Sequence, residues 1–122
     1  MSTQVYDLEE RLLEYSARII RLVERLPAKR SSRHVADQLL RSGTSPLANH
    51  GEAQAAESRD DFIHKLSICL QELRESRRWL ILIRRVPLME SCRDLDLVIG
   101  ETEALIKMFA KSLITTKSRR GS

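Results

Sequence analysis

Aromatic side chains make up only 4% of this 122-residue chain: two Tyr, two Phe and one Trp. That is too few to build a platform on which bases could stack. Two cysteines cannot form a disulfide framework. Cys69 falls in a helical core pattern and Cys92 near a helix start, so both read as free thiols of a reducing compartment. No apolar run approaches the roughly 20 residues needed to cross a bilayer. The N-terminus, with Asp7, Glu9 and Glu10 ahead of the first long helix, lacks the pattern of a secretory signal. A cytoplasmic protein with no membrane partner is expected.

Catalytic and metal-binding constellations are also scarce. A di-iron bundle needs Glu-x-x-His pairs, and the chain has none; Asp61 with His64 is the nearest match, and Asp61 is better placed as a first-turn acid. His34, His50 and His64 repeat no ligand spacing. His64 and Cys69, five apart, point about 140° away from each other on a helix, which removes a thiol–imidazole pair. Ser42, Thr44 and Ser45 near His50 read as hydroxyls that satisfy backbone groups at a helix break. Neither an enzyme nor a cofactor is expected.

What is present is helix-forming. Three Pro and four Gly punctuate a sequence dominated by Leu, Ile, Ala, Glu and Arg, long enough for one domain. Four helices are predicted, at about 8–26, 32–57, 59–85 and 92–114. In the first, Asp7 and Glu10 can close a capping box, and Leu8, Leu12, Tyr15, Ile19, Leu22 and Leu26 form one stripe. The second starts near Ser31 or Ser32 and must kink or stop at 43–46, giving a kinked second helix; read as a restart, Gly43 ends one helix, Ser45 caps the next and Pro46 takes its first position. Its later half, with Leu47, Ala48, Gly51 and Ala55, presents small residues for close packing. Ser58 caps the third, with Asp60 and Asp61 in the first turn, and Val86-Pro87 ends it. Ser91, with Asp94 three residues on, caps the fourth. Residues 115–122 form a basic flexible tail. Short connections imply an all-α, antiparallel up-down-up-down four-helix bundle.

Two features exceed what a lone bundle needs. Trp79, Leu80, Ile81, Leu82 and Ile83 are apolar at five consecutive positions, covering every side of a helix, so part of that surface is expected to hold a second subunit. Arg74, Arg77, Arg78, Arg84 and Arg85 flank them, and Lys117, Arg119 and Arg120 follow in the tail. Residues 77 and 84, like 78 and 85, lie two turns apart, which makes a basic stripe partly neutralised by Glu72 and Glu75. A phosphate backbone responds to total positive charge, and an oligomer multiplies the chain's net +4.

The run Arg41–Pro46, then Asn49 with Glu52, then Ala56-Glu57-Ser58 and Asp61–Leu66, carries a resemblance. It resembles the four-helix-bundle proteins related to those encoded in intervening sequences of bacterial large-subunit ribosomal RNA genes. Relatives include the accessory variability protein of diversity-generating retroelements. The resemblance covers about Leu8 to Leu113. It implies a basic, ring-like homo-oligomer, a homopentamer in form, that works beside nucleic acid and a reverse transcriptase. Here Pro46 stands three residues before Asn49 and Ala53 follows Glu52, where the family's usual form has proline two before and glycine after. The residues themselves read as a structural polar network of Gln38, Asn49 and Glu52 around the helix break.

The expected function is a non-enzymatic, oligomeric adaptor that binds RNA or DNA backbone, or a nucleic-acid enzyme such as a reverse transcriptase. The alternative is a purely structural or protein-binding assembly whose arginines pair with acids across subunits.

Overall fold

The described residues form four helices: α1 (Thr3–Val23), α2 (Arg30–Gln54), α3 (Arg59–Arg85) and α4 (Arg93–Ser118). The computed structural model describes the backbone of residues 3–119 and the side chains from Asp7 onward, with no strand among the described residues. The apolar stripe of α1 turns inward at Leu12, Tyr15, Ile19 and Leu22. It meets Val35 and Leu39 of α2, Leu66, Cys69, Leu73, Leu80 and Ile83 of α3, and Leu95, Val98, Leu105 and Phe109 of α4 in one core. Between neighbouring helices, residue numbers rise on one side as they fall on the other. Tyr15 meets Thr102 and Arg25 meets Asp94; Ser42 meets Ser76 and Glu52 meets Lys65; Arg77 meets Glu103 and Arg84 meets Asp96.

Several boundaries differ from the sequence expectation. Asp7 lies inside α1, which starts at Thr3, so it caps nothing. α2 begins at Arg30 with Lys29 at the cap position and no side-chain cap. Most tellingly, α2 runs through Gly43 and Pro46 as one helix. An internal proline costs about 3 kcal/mol. Packing offsets it here, because Ser42, Gly43 and Pro46 are all buried. Side chains also bond back onto neighbouring carbonyls: Thr44 Oγ1 donates to Leu40 O (2.7 Å) and Asn49 Nδ2 to Ser45 O (3.1 Å).

Gly43 serves packing rather than termination. A Cβ at this position would lie 2.8 Å from Ile19 Cγ2 and 2.9 Å from Ile19 Cγ1, so only glycine lets α1 and α2 meet this closely. The close approach therefore sits at Gly43, not along 47–55: Ala48 and Ala55 are exposed, and a Cβ on Gly51 would meet nothing within 4 Å.

α3 follows expectation. Ser58 Oγ accepts from Asp61 N at 3.1 Å, Asp60 and Asp61 occupy the first turn, and the helix stops at Arg85 before Val86-Pro87. Its 27 residues span about 40 Å at 1.5 Å each. α4 opens at Arg93 with Cys92 at the cap position, without a side-chain cap, so Ser91 and Asp94 form no capping pair. At its far end, residues 115–118 continue the helix instead of joining a flexible tail. Buried Leu113 anchors this last turn, Thr116 Oγ1 bonds Ser112 O (2.8 Å), and Arg59 Nη1 holds Arg119 O (2.8 Å).

Candidate nucleic-acid interface

The five arginines of α3 divide into two sets. Arg77 Nε pairs with Glu103 Oε2 at 2.8 Å and Arg84 Nη1 with Asp96 Oδ1 at 3.2 Å, so these two fasten α3 to α4 within one chain. Arg74, Arg78 and Arg85 are exposed and make no ion pair with a described residue. At spacings of four and seven they fall within about 40° of one helical face. Glu72 and Glu75, expected to neutralise this stripe, are both engaged by Arg41 of α2, the former at 2.9 Å. The face is therefore more positive than the sequence spacing implied. Lys117 is exposed near the end of α4, beside Arg119; Arg120 lies outside the described residues.

The apolar run is mostly spent inside the chain. Leu80 and Ile83 are 0% exposed in the bundle's own core, which corrects their placement at a subunit interface. Trp79 is half-buried, its indole N–H donating to Glu75 Oε2 at 3.0 Å and its ring edge-on to His34 at 5.9 Å. Ile81 is half-buried, and Leu82 is 40% exposed. The reason is geometric: α3 packs against both α2 and α4, so two of its sides are already covered.

A different apolar surface went unnoticed in the sequence. Leu13 (50% exposed) and Ile20 (44%) on α1 flank Ala17, and with Thr44 and Leu47 of α2 they line a shallow groove of about 380 Å³. The spacing 13, 17, 20 is a helical stripe and was the available signal, masked by the stronger stripe beside it.

Gln38, Asn49 and Glu52 do not join into one network. Gln38 Oε1 accepts from Arg41, Asn49 bonds Ser45 one turn back, and Glu52 pairs with Lys65 Nζ at 2.7 Å. That exposed pair lowers the pKa of Glu52 and raises that of Lys65.

The buried polar network lies elsewhere. Tyr15 OH and Thr102 Oγ1 are 2.7 Å apart, Thr102 donates to Val98 O, and Ser76 Oγ donates to Ser42 Oγ at 2.8 Å. One hydroxyl from each helix thus forms a layer across the waist of the core. Burial pushes the Tyr15 phenol up to about 12, against the opposing pull of its bonds to Thr102 and Ser76. Burial likewise pushes the Cys69 thiol, 3.6 Å from Pro46 O, up to about 12, which removes its nucleophilic form near neutrality. His50, 1% exposed and edge-on to Phe109, has its pKa lowered by burial; its Nδ1 has no partner among the described residues. Among those residues, no three His, Cys, Asp or Glu side chains gather where a metal could bind. No helix is long and apolar enough to cross a membrane.

Residues 5–111 match the family model described as 23S rRNA-intervening sequence protein. The chain belongs to this family. Among solved structures, this family member is similar to a crystal structure of a protein of unknown function from the S23 ribosomal protein family of Bacteroides thetaiotaomicron. The two share 31% identity with a TM-score of 0.81, over 91% of this chain and 98% of that one. No curated protein matches the chain. Membership of the 23S rRNA-intervening sequence family agrees with the resemblance read around Arg41–Leu66.

Proposed function

We propose that this protein is a non-enzymatic, cytoplasmic adaptor: an up-down-up-down antiparallel bundle that self-assembles and associates with the backbone of RNA or DNA, or with an enzyme acting on it such as a reverse transcriptase. The observation that carries the reading is the stripe of Arg74, Arg78 and Arg85, three exposed guanidinium groups on one face with no ion pair among the described residues. Guanidinium groups match phosphate oxygens in pairs, and such contacts give salt-sensitive binding with little sequence preference. Self-assembly is supported by the exposed Leu13, Ile20 and Leu82, which a second copy would cover. A ring, pentameric by family resemblance, would repeat the stripe around its circumference.

Light scattering after size exclusion, with absorbance at 260 and 280 nm at low and high salt, tests the reading. A multimeric mass carrying nucleic acid that leaves in high salt is expected. A monomer free of nucleic acid refutes both parts. A multimer without nucleic acid, unaffected by Arg74→Glu with Arg78→Glu, favours the purely structural assembly, which the exposed apolar residues alone would serve.

A further inference from the structure

The layer of Tyr15, Ser42, Ser76 and Thr102 cuts the bundle into two halves of unequal charge. The half made of residues 16–41 and 77–101 holds 12 Lys and Arg against 6 Asp and Glu, a formal +6. The remaining 9 cations and 11 acids leave −2 for the rest of the chain. One pole therefore carries more positive charge than the whole molecule.

Six of its cations, Lys29, Arg30, Arg33, Arg78, Arg85 and Arg93, are exposed and make no ion pair with a described residue. They come from the start of α2, the end of α3 and the start of α4. Three contacts hold these segments together: Arg25 Nη1 to Asp94 Oδ2 (3.1 Å), His34 against Trp79 (5.9 Å between rings), and Arg84 to Asp96 (3.2 Å).

Stability does not account for this arrangement. Lys29, Arg30 and Arg33 crowd the start of α2, whose first turn has no acid and no side-chain cap. Cations at the positive end of a helix dipole destabilise the helix. The start of α3, with Ser58, Asp60 and Asp61, shows the opposite and favourable pattern. A surface that gives up stability to concentrate one sign of charge is the kind of local conflict found where something binds.

We propose that this pole seats a nucleic-acid phosphate backbone, with Lys29, Arg30, Arg33 and Arg93 extending the surface begun by Arg78 and Arg85. The inference rests on the nucleic-acid reading above and moves its centre from the flank of α3 to the end of the bundle. Six such contacts to a single strand give a log–log salt slope of about −4, at roughly 0.7 per phosphate.

The test uses the full chain and a fluorescein-labelled, mixed-sequence 30-nucleotide RNA, with anisotropy read from 50 to 300 mM KCl. The pole variant carries Lys29→Glu, Arg33→Glu and Arg93→Glu; a second set places Gln at the same positions; the comparator carries Arg74→Glu and Lys117→Glu. The Glu set is expected to weaken binding tenfold or more at 100 mM and to reduce the slope by about 2. Its melting temperature should equal or exceed that of the unaltered chain, because acids replace cations at helix starts, so the loss is not unfolding. The Gln set should lie between the two. Binding by both pole sets within twofold of the unaltered chain, with loss only in the comparator, overturns the inference and leaves the α3 flank as the site. No RNA bound by the unaltered chain at 50 mM overturns the broader reading too. Poly-glutamate binding as tightly as RNA would make the pole a protein-docking surface and also overturn it.

Discussion

Removing the hydroxyls of Tyr15 and Thr102, singly and together, should reveal an asymmetry set by which partner donates. Thr102 has one hydroxyl proton and gives it to Val98 O at 2.7 Å, so Tyr15 must be the donor in the 2.7 Å bond between the two side chains. Both residues are buried, Tyr15 at 1% and Thr102 at 0% exposure. Tyr15→Phe removes the donor and leaves Thr102 an oxygen whose own proton is still bonded; a net hydrogen bond is worth about 1 kcal/mol. Thr102→Val keeps the shape but removes one of the buried phenol's two partners and leaves it only Ser76, which costs about 1–3 kcal/mol. The double variant replaces both partners by apolar groups and should cost clearly less than the sum. Urea unfolding of the four proteins at one fixed concentration measures the cycle, fixed because assembly would add to apparent stability. A coupling energy of about 1 kcal/mol is expected, and additivity within about 0.3 kcal/mol refutes the bond as a contributor. The same cycle has a signature in pH. The Tyr15 phenol titrates near 12 in the folded chain against 10.0 as its ordinary value, so the stability it contributes is complete below pH 10 and falls away as the pH approaches 12. Tyr15→Phe should flatten that decline.

The same Gly→Ala change should have opposite signs at two places in α2: Gly43→Ala drives a Cβ to 2.8 Å from Ile19 and should cost about 1–3 kcal/mol, while Gly51→Ala meets nothing and should stabilise by roughly 0.5–1 kcal/mol. Thermal unfolding checks both, and a stabilising Gly43→Ala would show that α1 and α2 do not approach as closely as described. The pKa of His50 is lowered by burial, with the field of Glu9 opposing, so the folded chain resists protonation and should lose stability as the pH falls below 6.5. Replacing His50 by Phe should flatten the curve between pH 6.5 and 5 in urea titrations; an unchanged slope would show that His50 titrates freely. Cys69, fully buried with its thiol pushed up to about 12, should resist iodoacetamide at pH 8 on a timescale over which half-buried Cys92 is alkylated, and mass spectrometry of the peptides decides it.

Local rules worked where one helix decides the outcome. The stripe of Leu12, Tyr15, Ile19 and Leu22, the Ser58 cap with its first-turn acids, and the stop at Val86-Pro87 depend on spacing and backbone chemistry within a few residues. The same rules failed where a neighbouring helix overrides them. Pro46 reads as a break in isolation, yet burial of Ser42, Gly43 and Pro46 keeps α2 continuous. Ser91 reads as a cap, yet α4 opens one residue later, with Cys92 at the cap position.

The basic character of α3 was legible, because five arginines in twelve residues need no fold to be noticed. Which of them are spoken for was not. Arg77 and Arg84 find Glu103 and Asp96 only because α4 returns alongside α3, and Glu72 and Glu75 are diverted to Arg41 by the approach of α2. Trp79–Ile83 likewise looked like surplus apolar surface until two covered sides of α3 absorbed Leu80 and Ile83.

The amino-acid order by itself determined that this chain is helical, where α3 starts and stops, and which stripes of α1, α3 and α4 turn inward, because hydrophobic periodicity and end chemistry act over one or two turns. Only the tertiary structure decided that Gly43 is a contact rather than a terminus, that four hydroxyls share a buried layer, and that Lys29, Arg30, Arg33, Arg78, Arg85 and Arg93 come together at one pole. Those outcomes depend on pairs of residues tens of positions apart, and their proximity arises only when four helices pack around a common core.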